Sequence, residues 1–523
     1  MMLKVVYKNI PTGVMQGSVT DANYKQAFLN MNDFKTERRV SKYATLEKNF
    51  WLLDGTFENF PDVLTGLGYM SNIMSDEKGN FSNAIVITRV YDANYTAPGL
   101  MIEFDSNTNN YAKNMNVKWY RDDTLLSEED YIVDSANYFC NNEVVAFNKV
   151  IITITSTVNP YRFLKIFNIN DGIIRTFYQD ELENVDIIEE ISPKNETLSI
   201  NNASISLINK NDIGILFQRT LPFKVYRDDA LYGYFFIDTS SSNANKTFYT
   251  ISANDYIGLL EYQTHLGGIY SNIAVSTLLA DILGDIPYEL DENIGSKTVT
   301  GYLPIQTKRE ALRQVIFAVN GMVDTSRSEK IMIKSLPNNV TAFIDKSRIV
   351  SIKTTESAIT TAIELNTHKY KANAEETELF NDTLNGTIYL TFSSPVHDLK
   401  ITGGTILLSG TNYATIQGNG TVVLTGKGYD DVVETLSKTN SAVATTDLQK
   451  VETHETTLNW NATELLNSLN FTKSNIDVNF NMITEKVGDL VNLNGVICRI
   501  KTISYDARQT NIYATSNMEV YDG

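Results

Sequence analysis

The sequence predicts a mainly β, multidomain protein. Its 523 residues are enough for about three to four domains of ordinary size. β-Branched and aromatic residues, which favour strands, are abundant, and Asn, Asp and Gly recur between them as turn residues. Alternating segments such as 116–120, 149–155 and 421–425 recur along most of the length. Strands at such short spacing are typical of β-sandwiches and β-barrels.

Two segments predict clear helices. Residues 271–284 place an apolar stripe on one face, and Gly284 is a suitable end. Residues 307–322 begin with a capping box formed by Thr307 and Glu310. A weaker helical pattern lies at 461–471. The middle of the chain therefore predicts a small α/β piece between β-rich blocks.

Composition shifts suggest where these blocks begin and end. Residues 1–47 are polar and mixed and predict an N-terminal extension. The first β-rich block ends with a strand at 161–169, followed by the turn signal Asp171-Gly172. The last block is interrupted at 428–450 by a run rich in Ser, Thr, Ala and Asp.

Two distant segments look alike. Residues 223–238 and 489–504 each read as strand, tight turn and strand, and each is followed by a polar loop and a further strand. Chance similarity of two hairpins is one explanation. The other is a duplicated β-barrel, which would give an architecture of two related rings.

Charge and hydropathy exclude several classes of protein. The net charge of −18 argues against binding nucleic acid through its phosphates. No apolar run is long enough for a membrane span. The first residues lack the apolar core of a signal peptide, so we expect the chain to be made and folded in the cytoplasm.

The sequence also lacks the residues of familiar reactive sites. Two cysteines, Cys140 and Cys498, exclude a disulfide scaffold and a multi-cysteine zinc site, and we expect both to be buried hydrophobes. Four histidines show no ligand spacing. Phosphate-binding loops, zinc-protease motifs and nucleophile elbows are absent from the sequence. We therefore predict no enzyme, and no catalytic, cofactor-binding or metal-binding residue.

Some residues leave alternatives open. The densest acidic run, Glu128-Glu129-Asp130, fits a solvated loop better than a cation site. The tryptophans Trp51, Trp119 and Trp460 are of a type that stacks on sugar rings. Trp119 lies in an alternating strand, which favours the core, whereas Trp51 fits either role.

Five segments in the first third of the chain carry a resemblance to a known family. Their order resembles tail and baseplate proteins of phages and phage-like particles of Gram-positive bacteria. The best anchors are Phe-Trp-Leu-Leu-Asp-Gly at 50–55 and Ser-Asp-Glu-Lys-Gly-Asn-Phe at 75–81. Met70 departs from the family, which has an aromatic residue there, so no ligand role is carried over to it. The segments are 46–57, 68–81, 99–105, 115–120 and 149–166.

The resemblance implies a galactose-binding-like (discoidin-type) jelly roll followed by a part similar to baseplate hub proteins. In that family two tube-type β-barrels flank an α/β piece, and three copies form a ring beneath the tail tube. The domains so expected are an N-terminal extension at 1–47, the jelly roll at 48–170, a first barrel at 171–264, the α/β domain at 265–340, and a second barrel with a β-rich insertion at 341–523.

The implied function is a structural hub in the tail baseplate of a virion or phage-tail-like particle. It would be a homotrimer with the tail tube protein above and a spike, fibre or other baseplate proteins below and around it. An alternative is a receptor- or carbohydrate-binding tail protein whose jelly roll contacts a cell-surface glycan. A tail-associated peptidoglycan enzyme is a third hypothesis, for which no catalytic motif is found.

Two physical hypotheses accompany the hub. Two barrels in each of three chains would present six related units, which suits docking on a sixfold tube. Three chains of −18 each carry −54, and carboxylates that line a channel would repel DNA. Alternatively, the acidic excess faces outward and favours solubility.

Overall fold

The computed structural model describes residues 2–11, 13–27, 31, 34, 47, 68–194, 197–210, 221–356, 360–441, 450–471 and 474–521. Strands dominate these residues and form several sheets, and the helices are short. The predicted fold class, mainly β and multidomain, is confirmed. The anchor at 50–55, with Trp51, lies outside the described residues.

The chain divides into two compact units. The N-terminal unit comprises Val5–Phe177 and Lys210–Phe223. The C-terminal unit comprises Met1–Lys4, Tyr178–Asn209 and Lys224–Gly523. The finer division into five domains stays a prediction.

The N-terminal unit is built on one sheet of long strands, in the order β3-β8-β4-β7-β5-β6 with β2 paired to β4. Several register shifts interrupt the ladder between β4 and β7. Such irregularities bend a sheet and let it enclose a core. The strands from the start of the chain are β1 (Leu3–Asn9), β2 (Ser18–Ala22), β3 (Tyr69–Met74), β4 (Asn80–Phe104), β5 (Ala112–Arg121), β6 (Thr124–Ile132), β7 (Asn137–Thr157), β8 (Phe163–Asn170) and β9 (Ile173–Tyr178).

The core of this unit is aromatic and aliphatic, and it also holds paired charges. Trp119 is fully buried and packs edge-on against Phe147, with 4.6 Å between ring centroids, which confirms the core prediction for Trp119. The buried guanidinium of Arg89 lies 3.0 Å from the carboxylate of Asp171. Burial of this pair is tolerated because each charge has an opposite partner.

Two parts of the segment predicted as an N-terminal extension are strands. Residues 3–9 and 18–22 are strands whose buried positions alternate with less buried ones. Residues 18–22 form a ladder with β4. The polar residues that face outward in these short strands made the alternation of apolar and polar residues hard to detect in the sequence.

The C-terminal unit contains a long sheet, with an α/β piece and a β-rich insertion between its strands. The sheet order is β23-β29-β32-β31-β10-β11-β14-β13-β12, and β30 also pairs with β31 and β22. Its strands are β10 (Leu182–Glu190), β11 (Asn202–Ile208), β12 (Pro222–Arg227), β13 (Ala230–Ser242), β14 (Phe248–Asn254), β15 (Thr264–His265), β16 (Gly268–Ala274), β17 (Tyr288–Leu290), β18 (Thr298–Leu303), β19 (Gln306–Thr307), β20 (Met322–Asp324), β21 (Ile331–Lys334), β22 (Val340–Ile344), β23 (Ile349–Glu356), β24 (Ala362–Thr391), β25 (Val396–Ser409), β26 (Tyr413–Thr439), β27 (Val451–Thr456), β28 (Leu458–Asn459), β29 (Ser474–Asn481), β30 (Leu490–Leu493), β31 (Val496–Asp506) and β32 (Tyr513–Val520). Its helices are α1 (Tyr256–Leu260), α2 (Val275–Leu283), α3 (Glu292–Gly295), α4 (Lys308–Ala318) and α5 (Ala462–Ser468).

The predicted helices are present, with shorter bounds. α4 starts where the capping box predicts, since the Thr307 hydroxyl accepts a hydrogen bond from the backbone N–H of Glu310. It ends at Ala318, before the predicted 322, and Asn320 beyond it has a positive φ of 51°. α2 starts four residues later than predicted because Gly268–Ala274 pair with β18 as a strand.

The insertion between β23 and β29 is a sheet folded over on itself. The N–H of Val396 bonds to the carbonyl of Thr411, yet Val396 also pairs with Gly428. A straight strand would separate residues 411 and 428 by about 55 Å at roughly 3.3 Å per residue. β26 therefore doubles back, and Gly403 and Gly420, with φ of 78° and 117°, supply the sharp bends.

One prediction about the insertion was wrong. The run at 428–450 was expected to interrupt the β structure, but residues 428–439 continue β26 and pair with β24. Threonine and valine suit an exposed strand, and the pairing is decided by the partner strand rather than by local hydrophobicity. Residues 442–449 lie outside the described part of the chain.

Candidate functional site

The long sheet of the C-terminal unit contains the same five-stranded arrangement twice. We call β10–β14 repeat 1, and β23 with β29–β32 repeat 2. In repeat 1 the sheet order is β10-β11-β14-β13-β12, and in repeat 2 it is β23-β29-β32-β31-β30. If the five strands of each repeat are numbered in chain order, the order of the strands in the sheet is 1-2-5-4-3 in both repeats. The α/β piece joins the repeats, and the insertion lies between the first two strands of repeat 2.

The pairing register is also repeated. Each repeat has a bulge in the ladder between its first and second strands, and another in the ladder between its fourth and fifth strands. The bulges fall at equivalent positions when the strands of repeat 1 are aligned with those of repeat 2. In this alignment 182–189 correspond to 349–356, 202–208 to 475–481, 236–243 to 499–506, and 248–254 to 513–519. The bulges lie between Leu182 and Asn184 and between Ile349 and Ser351 in the first ladder, and between Ile237 and Thr239 and between Ile500 and Thr502 in the second.

The hairpin turns that suggested a duplication correspond as well. Asp228 and Asp229 in repeat 1, and Asn494 and Gly495 in repeat 2, all have positive φ. Two such residues in succession form the type I′ turn that suits a two-residue hairpin. The sequence similarity of 223–238 and 489–504 is thus confirmed as a repeat of topology, register and turn type.

The two repeats meet in one antiparallel joint between β10 and β31. The paired residues run from Asp186 opposite Asp506 to Glu190 opposite Thr502. Two further bonds continue the ladder, from the Ile191 N–H to the Lys501 carbonyl and from the Ala507 N–H to the Val185 carbonyl, both 2.9 Å. The first strand of one repeat therefore pairs with the fourth strand of the other.

A buried ion pair fastens this joint. The Arg327 guanidinium holds both carboxylate oxygens of Glu189, at 2.8 and 3.2 Å, and donates to the Glu485 carbonyl at 3.0 Å. The Tyr505 hydroxyl donates to Glu189 at 3.0 Å. Burial opposes the charge on Arg327, but the Glu189 carboxylate raises its pKa above the ordinary value. A residue of the α/β piece thus connects the two repeats.

Asp255 fixes the end of repeat 1 to the α/β piece. This buried carboxylate caps α1 by accepting the N–H groups of Ile257 and Gly258, and it accepts the N–H of Asn201 at 2.9 Å. The Thr325 hydroxyl also donates to it. Burial raises the pKa of Asp255 to about 6, although these hydrogen bonds oppose the rise.

This shift predicts a pH dependence of stability. Because the folded pKa lies above the unfolded value of about 3.9, the contribution of Asp255 is fully present below that value. It is lost as pH rises through about 6. Asp255→Asn cannot ionise, so we expect its advantage over the wild type to grow between pH 4 and 7, by on the order of 2 kcal/mol. Denaturant unfolding at several pH values measures it.

The matched control is Asp291→Asn, at the partly exposed cap of α3. The Asp291 carboxylate accepts the N–H of Asn293, so this variant shows what loss of a cap carboxylate alone does to stability. Parallel stability curves for Asp255→Asn and the wild type would contradict the assignment.

A cavity of 640 Å³ lies in the C-terminal unit beside α4, α5 and β32. Its three cations are all paired. Lys194 donates to the Glu452 carboxylate at 2.5 Å, and Arg499 donates to the carbonyls of Gly488 and Pro337. Lys297 donates to the Val319 carbonyl at 2.9 Å, and its ammonium lies 3.6 Å from the centre of the Trp460 ring. Burial lowers the pKa of Lys297 and Arg499. Both cations therefore hold loops together.

The other residues singled out by the sequence are scattered. Cys140 and Cys498 are buried and free, as predicted. Glu128 and Asp130 lie on the exposed strand β6 rather than in a loop, and both accept from the Asn116 amide. Within the described residues no three His, Cys, Asp or Glu side chains are placed to hold a metal. No described helix is long and apolar enough to cross a membrane.

The repeat had a visible signal in its hairpins, but the ion pair did not. Glu189 and Arg327 are separated by 138 residues, and neither lies in a recognisable motif. In the folded chain, Arg327 of the α/β piece contacts the Glu189 carboxylate of β10.

No protein-family model and no curated protein sequence matches the chain. Among solved structures, a tail protein from Neisseria meningitidis aligns with 67% of this chain and 94% of its own, at 11% identity and a TM-score of 0.42. A prophage tail protein from Shewanella oneidensis aligns with 66% and 95%, at 10% identity and 0.39. A prophage tail protein from Listeria monocytogenes aligns with 66% and 91%, at 8% identity and 0.41.

Proposed function

We propose that the chain is a non-catalytic, ring-forming hub in the baseplate of a phage or phage-tail-like particle. Three copies surround the channel and join the tail tube to a central spike or fibre. The observation that carries this proposal is the repeat of one five-stranded arrangement within the chain. The resemblance of the sequence to baseplate hub proteins points in the same direction.

Symmetry explains why a duplicated chain suits this role. A closed ring needs contacts that repeat around an axis. Three chains with two related units each supply six similar surfaces, which match a sixfold tube on one side. The same ring keeps true threefold symmetry for a spike or fibre on the other side.

The role is tested in the assembled particle. Purified tails from the producing bacterium, labelled with antibodies against this chain, should carry the label at one end of the tube. Quantitative mass spectrometry should give three copies per tail. Label along the tube, or absence of the chain from purified tails, would contradict the proposal.

A second candidate function is glycan binding by the N-terminal unit. A shallow groove of 260 Å³ lies across β5, β6 and β7. Its lining combines amide, hydroxyl and carboxylate groups with the side chain of Ile132, which is 80% exposed. Hydrogen-bonding groups beside apolar surface are what a sugar ring requires. The groove is lined by Asn114, Met115, Asn116, Asp130, Tyr131, Ile132, Thr153 and Thr155.

A glycan array probed with the full-length chain tests this function. If the groove binds sugar, Asn116→Ala should weaken binding of any glycan hit about fivefold, since a lost hydrogen bond is worth roughly 1 kcal/mol. Asn114→Ala at the edge of the same groove is a second probe. Asn148→Ala is the control, because that side chain bonds Asp122 outside the groove. Equal binding by all variants would remove this candidate.

A further inference from the structure

Among the described residues, the joint between repeats leaves two strand edges without a paired strand. Within the chain, the first strand of repeat 1 pairs with the fourth strand of repeat 2. The first strand of repeat 2, β23, ends the sheet, and β29 is its described partner. The fourth strand of repeat 1, β13, pairs with β14 over residues 236–242, and no described strand lies along the other side of residues 239–243.

We propose that β23 of one copy pairs antiparallel with residues 239–242 of β13 and the following Asn243 in a second copy, reproducing between chains the joint that β10 and β31 make within the chain. The inference rests on the proposed function, because it names the strands through which copies of the hub contact one another. The partner is a second copy of this chain, since only the chain's own repeats carry both halves of the joint.

Burial differs between the two first strands as the proposal requires. Val185, Ile187 and Glu189 of β10 are at most 1% exposed. Their counterparts by register are Ile352, Thr354 and Glu356, all exposed, and Ile352 is 52% exposed. Natural edge strands are usually protected against pairing. An isoleucine and a β-branched threonine on an open edge are instead suited to receive a strand.

The register of the joint follows from the alignment of the repeats. Asp186 corresponds to Lys353, and its partner Asp506 corresponds to Asn243. The other residue pairs between β10 and β31 are converted with the same alignment. No two like charges face each other in this ladder. The expected pairs between copies are Lys353 with Asn243, Thr354 with Ser242, Thr355 with Ser241, and Glu356 with Ser240.

The directions of the backbone groups also follow. In the joint within the chain, Ile191 donates to Lys501 and Ala507 donates to Val185. In the ladder between β10 and β31, every second residue pair is therefore hydrogen-bonded, including the pair Ile187 and Tyr505. By correspondence, the N–H of Thr354 points out from the open edge. Thr355 with Ser241 is then a non-hydrogen-bonded pair, with Cα atoms about 4.5 Å apart.

Disulfide cross-linking tests this pairing, because about 4.5 Å between Cα atoms is within disulfide range. The variant Thr355→Cys/Ser241→Cys, in the full-length chain, should form covalent oligomers on mild oxidation. The control Thr355→Cys/Ser242→Cys is shifted by one residue, which places the thiols on opposite faces of the sheet. We expect at least tenfold less cross-linking in the control. The native cysteines are both buried and give little background.

Light scattering on the same samples separates this inference from the proposed function. Cross-linking of the register-matched variant alone supports the strand pairing. Oligomers without a difference between the variants would overturn the pairing and leave the ring intact. Monomers at every concentration, without cross-links, would overturn the pairing and also count against a ring that forms from this chain alone.

Discussion

Arg327→Met is expected to lower the free energy of unfolding by about 3 to 5 kcal/mol, because it leaves the Glu189 carboxylate buried without its partner. Glu189 is 1% exposed and Arg327 supplies both of its charged hydrogen bonds. The Tyr505 hydroxyl alone cannot compensate a buried charge. Denaturant unfolding monitored by circular dichroism measures the loss.

The control is Arg313→Met, which removes a similar cation from a pair with Glu310 one turn away on α4, where the carboxylate stays partly open to solvent. Exposed pairs contribute at most about 1 kcal/mol, so this variant should stay close to the wild type. The double variant Arg327→Met/Glu189→Met removes both charges and should recover much of the stability. Equal effects of the two arginine substitutions would contradict the role of the buried pair.

Thr354→Pro is expected to abolish self-association without unfolding the chain. By the correspondence with Ile187, the N–H of Thr354 faces the open edge of β23, where proline is tolerated. Each joint between copies would lose one hydrogen bond, about 1 kcal/mol, and the proline ring would occupy the space of the arriving strand. In light scattering the mass should fall from that of three 58.7 kDa chains to that of one.

Thr354→Val is the matched variant, because valine keeps the N–H and suits a strand. It should assemble like the wild type. Unfolding midpoints for both variants check that the monomer is intact. A folded Thr354→Pro chain that still forms the wild-type oligomer would show that the copies meet through another surface.

Much of the fold could be predicted from local patterns. The capping box at Thr307 fixed the start of α4, and the turns at 228–229 and 494–495 marked the two hairpins. These signals are visible because turns and caps depend on residues close together in the sequence. The same locality explains the errors: residues 271–274 belong to the predicted helical pattern, but pairing with β18 makes them part of a strand.

The joint could not be predicted in this way. β-Bulges and partner strands are set by contacts between segments hundreds of residues apart, such as Asp186 and Asp506. The exposure of Ile352 indicates an unpaired strand edge only after Val185, which is buried, is recognised as the equivalent residue of repeat 1. The folding-over of β26 likewise depends on the contact between Val396 and Thr411, which no local pattern indicates.

Electron microscopy of the purified chain in its assembled state tests the central claim most directly. We expect a closed ring of three copies around a channel, with six five-stranded units at similar radius and with β23 of each copy beside β13 of the next. An isologous dimer, or a ring in which the two repeats of a chain lie at different radii, would contradict it.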